Sequence, residues 1–510
     1  MKKIVKILQS RLVVFGFLIL VQLAWIIVIF GRLINYSQII QVLLKIVSLI
    51  AVLWIVNKEE NPSYKIAWII PILCLPVFGG LLYLVAGHKR PARKLRRKLE
   101  EEERRTADEL VQKEGIIEEV REVEPAVAGQ MQYLSRTGGF PVHSHTETRY
   151  YRAGEELYPD LIEELRAAKH FIFIEFFIIS FGKMWDTILE ILEEKVEEGV
   201  EVRVIYDDLG NISYLPGGYD RQLEAKGIRC IAFNPFVPIL SLVMNNRDHR
   251  KIIVIDGHTA FSGGSKLSDE YMNAKVRYGH WKDSSFMLYG EAVWNYTVMF
   301  LRTWNAIRHD DEDYSAYRVH VWHPEEFEGE GYVQPYGDSP LDDEILAENV
   351  YLNILSQAER YVYIFTPYLI IDHEMQTALC LAAKRGVDVR LITPGVPDKK
   401  VIYEVTRSTY NVLIESGVRI FEYQPGFSHA KSYVCDDKVA VVGSINMDYR
   451  SLYLHFECGT YFYNDPIVMK VKQDCLLTFE MCREVHPGDT EKGVIEKLFR
   501  AVLRLFAPLM

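Results

Sequence analysis

Cysteine is sparse and unpaired. The seven cysteines, at positions 74, 230, 380, 435, 458, 475 and 482, are scattered and odd in number, with no Cys-x-x-Cys pair. That argues against a disulfide framework or a cysteine zinc site and suits a reducing compartment. Basic residues are in deficit as well. With 58 Lys+Arg against 69 Asp+Glu the net charge is −11, so no overall positive field draws in a polyanion such as DNA. A cleaved signal peptide is a poor reading too, because the first apolar run is too long, no small-residue cleavage site follows it and more apolar runs come after.

Long apolar runs, by contrast, crowd the N-terminus. They cover residues 12–30, Ile39 to Val56 around Lys45, and Ile66 to Gly87 around Pro71, Pro76 and Gly79-Gly80. Each approaches the ~20 residues that span a bilayer. The expectation is two or three hydrophobic membrane helices within residues 1–87, one of them lying in the interface or re-entering. Seven Lys/Arg between 89 and 98 then hold the rest of the chain on the cytoplasmic side. Residues 88–130 read as a charged linker helix laced with i,i+4 pairs.

The remainder is written twice. "HFIFIEFFI" at 170 resembles "RYVYIFTPYL" at 360, "GVEVRVIYDD" at 199 resembles "GVDVRLITPG" at 386, and "GIRCIAFNP" at 227 resembles "GVRIFEYQP" at 417. Offsets this long mean two copies of one domain. In each copy amphipathic helical stretches alternate with short, nearly all-apolar strands, the pattern of an α/β domain with a buried sheet. The boundaries read as 131–325 and 326–510, packed about a pseudo-twofold axis. The first copy carries an apolar insertion within "FVPILSLVMNNRD", which is either a lip beside the following motif or a packed loop.

That motif is the strongest chemical signal. His249 and Lys251 stand two apart, as do His429 and Lys431, so each pair shares one strand face. Each pair is followed by an aspartate, Asp256 or Asp436, and then by Gly263-Gly264 or Gly443-Ser444 at matching distances. One such pair is commonplace; the same spacing twice within a repeat is not. Two lysines supply fixed positive charge for a phosphoryl group. One neutral imidazole can attack phosphorus, and a protonated one can donate to the leaving oxygen. Such a site needs no metal and no cofactor.

The paired motif, together with "NNRDHRKIIVIDG", "GSINMDYRSLYLHFE" and the N-terminal apolar runs, resembles the phospholipase D superfamily, and within it bacterial cardiolipin synthases. The resemblance implies two tandem phospholipase D-like domains whose motifs form one active site. It implies transfer of a phosphatidyl group from one phosphatidylglycerol to another, giving cardiolipin and glycerol. By the same resemblance His249 is the nucleophile that forms a phosphohistidine and His429 is the general acid and base. Lys251, Lys431 and Asn446 bind phosphate oxygens, with Ser444, Gly264 and Lys266 beside them. Asp256 and Asp436 are motif members with a structural part. An acid about thirty positions on orients each imidazole: Asp283 lies 34 after His249, and Glu457 lies 28 after His429. The chain departs from the pattern at Lys266, where the family has Asn, and at His455, where it often has Asn.

The implied partners are a phospholipid and the membrane, not nucleic acid, and the oligomeric state stays open. The implied location is the cell membrane, multi-pass, with a cytoplasmic catalytic part. The insertion before His249 then reads as a lip for acyl chains. The basic amphipathic stretch "GVIEKLFRAVLRLFAPLM" at the C-terminus reads as lying on the membrane or packing on the protein itself. Three rivals remain: a phospholipase D-type hydrolase using water, a superfamily nuclease, and a non-catalytic membrane scaffold.

Overall fold

The computed structural model describes residues 38–59, 61–74, 93–235, 246–311, 313–342, 344–489 and 493–509, with isolated positions at 20, 21, 24, 28 and 83. The chain divides into two compact units. One takes in the described parts of 1–94, 234–246 and 493–510, and the other holds 95–233 and 247–492.

The larger unit contains both copies of the repeat. The first copy supplies β1 (Thr146–Tyr151), β2 (Phe171–Phe176), β3 (Glu201–Asp207), β4 (Arg229–Phe233), β5 (Arg247–Asp248), β6 (Lys251–Ile255), β7 (Thr259–Gly263), β8 (His280–Lys282) and β9 (Ser285–Gly290). The second supplies β10 (Tyr332–Asp338), β11 (Tyr361–Phe365), β12 (Leu369–Ile370), β13 (Asp388–Pro394), β14 (Arg419–Tyr423), β15 (Gly426–Ser428), β16 (Ser432–Cys435), β17 (Val439–Gly443), β18 (Met447–Asp448), β19 (His455–Tyr463) and β20 (Cys482–Val485).

The duplication is visible in strand order. One sheet runs β1-β9-β7-β6-β2-β3-β4, and the other runs β10-β19-β17-β16-β11-β13-β14-β20. Position for position these are the same sheet, with β20 added at one edge. In each, the central strand joins a parallel half to an antiparallel half: β2 pairs parallel with β3 and antiparallel with β6. Every residue of β2 is buried, which explains its unbroken "FIFIEF". Helices Gly154–Ala167 and Lys183–Glu197 bury Leu157, Leu161, Leu165, Trp185 and Ile188 in the core of the first copy. Helix Val293–Arg308 is buried along nearly its whole length. It stacks Phe300 on Phe173 of β2 at 4.6 Å and bonds Tyr296 to Thr460 of β19 at 2.8 Å. The two copies therefore share one core.

Asp256 and Asp436 end β6 and β16 with φ of 50° and 55°. The Asp256 carboxylate accepts the backbone N–H groups of Lys169, His170 and Phe171, each at 2.8 Å. Asp436 accepts those of Glu359, Arg360 and Tyr361 at 2.7–2.8 Å. Both aspartates thus anchor the entry to a central strand. Asp256 is five residues along an extended strand from Lys251, about 17 Å away, so neither carboxylate is placed for chemistry.

The charged segment does not form one linker helix. It breaks into Arg93–Arg105, Ile116–Val123 and Pro125–Arg136. The i,i+4 pattern is real, with Arg96 on Glu100 at 2.6 Å. Glu102 is buried and accepts the Tyr314 hydroxyl at 2.6 Å, while Glu101 and Glu103 beside it stay exposed.

In the smaller unit, helices Gln38–Val56, Pro62–Cys74 and Val494–Phe506 are described. Among the described residues no helix is long and apolar enough to cross a membrane. The described residues therefore lend no support to the expected transmembrane helices or to a multi-pass chain. Gln41, Lys45 and Ser48 interrupt the second run, and Pro71 sits inside the third. The first run lies almost wholly outside the described residues, as does the apolar insertion at 236–245. The C-terminal helix belongs to this unit and not to the second copy.

Because Asp256 satisfies three backbone donors at once, Asp256→Ala is expected to cost about 2–4 kcal/mol, read as a lowered urea midpoint. Asp256→Asn, which keeps one carbonyl acceptor, should lose clearly less. Equal midpoints for wild type and Asp256→Ala would contradict the anchoring role.

Candidate active site

Two very short parallel pairings join the copies. β5 pairs with the start of β19, Arg247 opposite His455 and Asp248 opposite Phe456. β15 pairs with β8, Phe427 opposite Trp281 and Ser428 opposite Lys282. Each pairing is extended by the histidine that follows it. The His249 N–H donates to Phe456 O at 2.8 Å, and the His429 N–H donates to Lys282 O at 2.6 Å. The next residue on each partner strand is the acid.

The acids are therefore exchanged between the copies. His249 Nδ1 lies 2.7 Å from Glu457 Oε1, and His429 Nδ1 lies 2.8 Å from Asp283 Oδ2. The order of residues in sequence had put Asp283 behind His249 and Glu457 behind His429. The structure reverses this, because each acid follows the strand paired with the other copy's motif. All four side chains are buried. A carboxylate on Nδ1 holds the proton there and leaves Nε2 as the outward lone pair.

Further groups fix the acids. Glu457 accepts the Ser451 hydroxyl at 2.7 Å and also the Ser444 hydroxyl. Ser444 accepts the Cys458 N–H at 3.0 Å as well. Its hydroxyl is committed to placing Glu457, not to meeting a substrate. Gly264 donates its N–H to Ser284 O at 2.8 Å. A Cβ on Gly264 would stand 2.0 Å from Asp283 Oδ1, so this glycine makes room for the acid. Asn446 is buried and its Oδ1 has no hydrogen-bond partner.

The lysines crowd together. Lys251 and Lys431 are buried, and each Nζ donates to the carbonyl of the histidine two residues before it. Burial pushes both amines down, Lys431 to about 7. Lys266 is pushed well down by burial and by the neighbouring Lys251, Lys431 and Lys399. Its Nζ lies 5.3 Å from the Phe177 ring centre and 5.7 Å from that of Tyr271. Burial also drives both imidazoles well below their usual range, and for His429 the lysines add to this. Asp283 is pushed up to about 6 by burial, against the pull of Lys431. One asymmetry stands out: Lys431 Nζ is also 2.7 Å from His429 Nδ1, where it competes with Asp283. A phosphate among these amines would offset their mutual repulsion and restore their charge.

Sequence reasoning missed the aromatic walls. Phe177 meets His249 edge-on at 4.8 Å, while Tyr271, Trp281 and Phe427 surround His429 at 5.3–5.8 Å. A cavity of about 330 Å³ is lined by His429, Lys266, Lys399, Tyr271, Trp281 and Phe427. Lys399 and the aromatics lie outside both motifs, and nothing in their spacing marks them.

The family model described as cardiolipin synthase, phospholipase D-like domain, matches twice, at residues 161–287 and 351–476. A cardiolipin synthase of Geobacillus sp. is 33% identical, over 91% of this chain and 92% of its own. The chain belongs to the phospholipase D-like cardiolipin synthase family. A second model, the phospholipase D-nuclease N-terminal segment, matches residues 46–88. A Streptococcus mutans protein described as uncharacterized is 43% identical over 90% of this chain and 99% of its own. The fold is also that of a phosphatidylserine synthase structure from Haemophilus influenzae. It is 16% identical, with a TM-score of 0.54, covering 75% of this chain and 100% of that one.

A family site built on depressed lysines has a pH signature. Lys431, lowered to about 7, is charged below that pH and loses its proton as pH rises through it. Affinity for sulfate, whose charge stays constant in this range, should fall about tenfold from pH 6 to pH 8. Lys431→Arg should flatten the profile. Calorimetric titration that finds the same sulfate affinity at both pH values in wild type would contradict the assignment.

Proposed function

We propose that this chain is a phosphatidyltransferase that makes cardiolipin from two molecules of phosphatidylglycerol. The observation that carries the reading is the crossed pair of buried imidazoles, each with Nδ1 held on a carboxylate of the opposite copy. In the first step His249 Nε2 attacks the donor phosphorus, and the bond to the leaving glycerol oxygen breaks. His429, as imidazolium, gives that oxygen a proton. In the second step His429 takes a proton from the hydroxyl of the acceptor, whose oxygen displaces His249 from phosphorus. Lys251, Lys431 and the Asn446 amide bind the non-bridging oxygens, with Lys266 beside them.

Electrostatics support this order of events. A buried His249 kept neutral by its surroundings is ready as a nucleophile. His429 must carry a proton to act as acid. The anionic substrate counters the lysines that repel that proton, so binding itself raises the proton affinity of His429. Work at a membrane surface is supported by the helix Val494–Phe506, which exposes Val494, Ile495, Leu498 and Phe499 while Lys497 and Arg504 lie between apolar positions.

The test uses vesicles of phosphatidylglycerol labelled in the phosphatidyl group. Cardiolipin and free glycerol should form, and quenching in denaturing detergent at mildly alkaline pH, which preserves the acid-labile nitrogen–phosphorus bond, should trap label on His249. His249→Ala should abolish both, a loss of at least about 10³-fold. Phosphatidic acid without cardiolipin would instead assign a hydrolase, with water in the place of the second lipid. Unchanged turnover in His249→Ala would overturn the proposal.

A further inference from the structure

The corner of the site around His249 and Glu457 holds one side chain that the transfer does not use. His455 opens β19 and is 8% exposed, yet neither of its ring nitrogens makes a hydrogen bond. A buried polar atom left unpaired costs about 1–3 kcal/mol, so two on one ring call for an explanation. Residues 455 and 457 alternate onto the same strand face. His455 Nδ1 stands 3.8 Å from Glu457 Oε1, and its ring centre lies 5.4 Å from that of His249. One donor atom from each of His249, His455 and Glu457 falls within 4.8 Å of the others, and all three residues are buried.

Two imidazoles and one carboxylate form the donor set of open three-ligand zinc sites, in which ligand atoms ~2.1 Å from the ion sit about 3.4 Å apart. The observed spacings, 2.7 Å from His249 to Glu457 and 3.8 Å from His455 to Glu457, bracket that value. Nitrogen donors favour Zn²⁺ and its first-row neighbours over Mg²⁺ and Ca²⁺, which prefer all-oxygen shells. We propose that His249, His455 and Glu457 form a binding site for a divalent transition metal, with Zn²⁺ the best match, and that filling it switches phosphatidyl transfer off.

The switch follows from the imidazole. Zn²⁺ at His249 Nδ1 replaces the proton shared with Glu457. That proton moves to Nε2, and the lone pair that would attack phosphorus is lost. Zn²⁺ at Nε2 uses the same lone pair directly. In either case the ring cannot bond phosphorus until the metal leaves. The inhibitory half of this inference rests on His249 as the nucleophile; the metal site itself does not.

The purified full chain is titrated with Zn²⁺ alone by calorimetry, beside His455→Asn and His455→Gln. Wild type should bind one Zn²⁺ per chain, and both variants should lose at least about tenfold in affinity. Zinc-edge X-ray absorption of the wild type should show two imidazoles and one carboxylate oxygen. Transfer, with each protein normalised to its own metal-free rate, should be inhibited by Zn²⁺ in wild type and resist it in the variants. No Zn²⁺ binding by wild type, or equal binding by all three proteins, would overturn the site. Zinc bound there with transfer unimpaired would overturn the switch. Failure of the proposed function would appear in the metal-free enzyme, while calorimetry and absorption decide the site regardless.

Discussion

Two parallel pairings of two and three residues, β5 on β19 and β15 on β8, determine everything chemical about this protein. They carry each histidine motif across to the other copy and set an acid directly behind each imidazole. Buried ions of this kind are costly to leave unpaired, and here each is paired and further hydrogen-bonded. The exchange also makes the site indivisible. Neither copy holds a complete imidazole–carboxylate pair, which fits the shared core and the helix Val293–Arg308 buried between the sheets. Duplication gave two sheets of matching strand order; crossing gave one site.

The same burial explains why the site suits an anionic substrate. Burial depresses Lys251, Lys266, Lys431 and both imidazoles, and neighbouring lysines add to this at Lys266, Lys431, His249 and His429. An electroneutral ligand would leave that repulsion in place. In the proposed reaction a phosphodiester would relieve it and push His429 toward the protonated form the first step needs. Binding and catalysis thus draw on one electrostatic source.

Much of this could be read from sequence. The repeat offsets correspond to sheets of identical strand order. The His-x-Lys spacing predicts each pair on one strand, but His249 lies in the link before β6, His429 and Lys431 lie in the link before β16, and only Lys251 opens a strand. The aspartates at 256 and 436 anchor backbone donors, the structural part the resemblance implied. Other features were hidden for physical reasons. Strand pairs of two or three residues have no periodicity, so the exchange of Asp283 and Glu457 was invisible. Gly264 and Ser444 sit in the motif, but only geometry shows that one clears space for an acid and the other holds one. The apolar runs of the first ninety residues have the composition of membrane helices, yet no described helix meets the length and apolarity that crossing needs. Glu102 looked as solvated as its exposed neighbours because its partner, Tyr314, lies some two hundred residues away.

The most direct test of the crossed arrangement is nitrogen-15 resonance of the histidine side chains in wild type, Glu457→Gln and Asp283→Asn, with signals assigned by His249→Ala and His429→Ala. The account predicts that Glu457→Gln alters the Nδ1–H signal of His249 and leaves that of His429 in place, while Asp283→Asn does the converse. Asp283→Asn disturbing His249 while sparing His429 would contradict it.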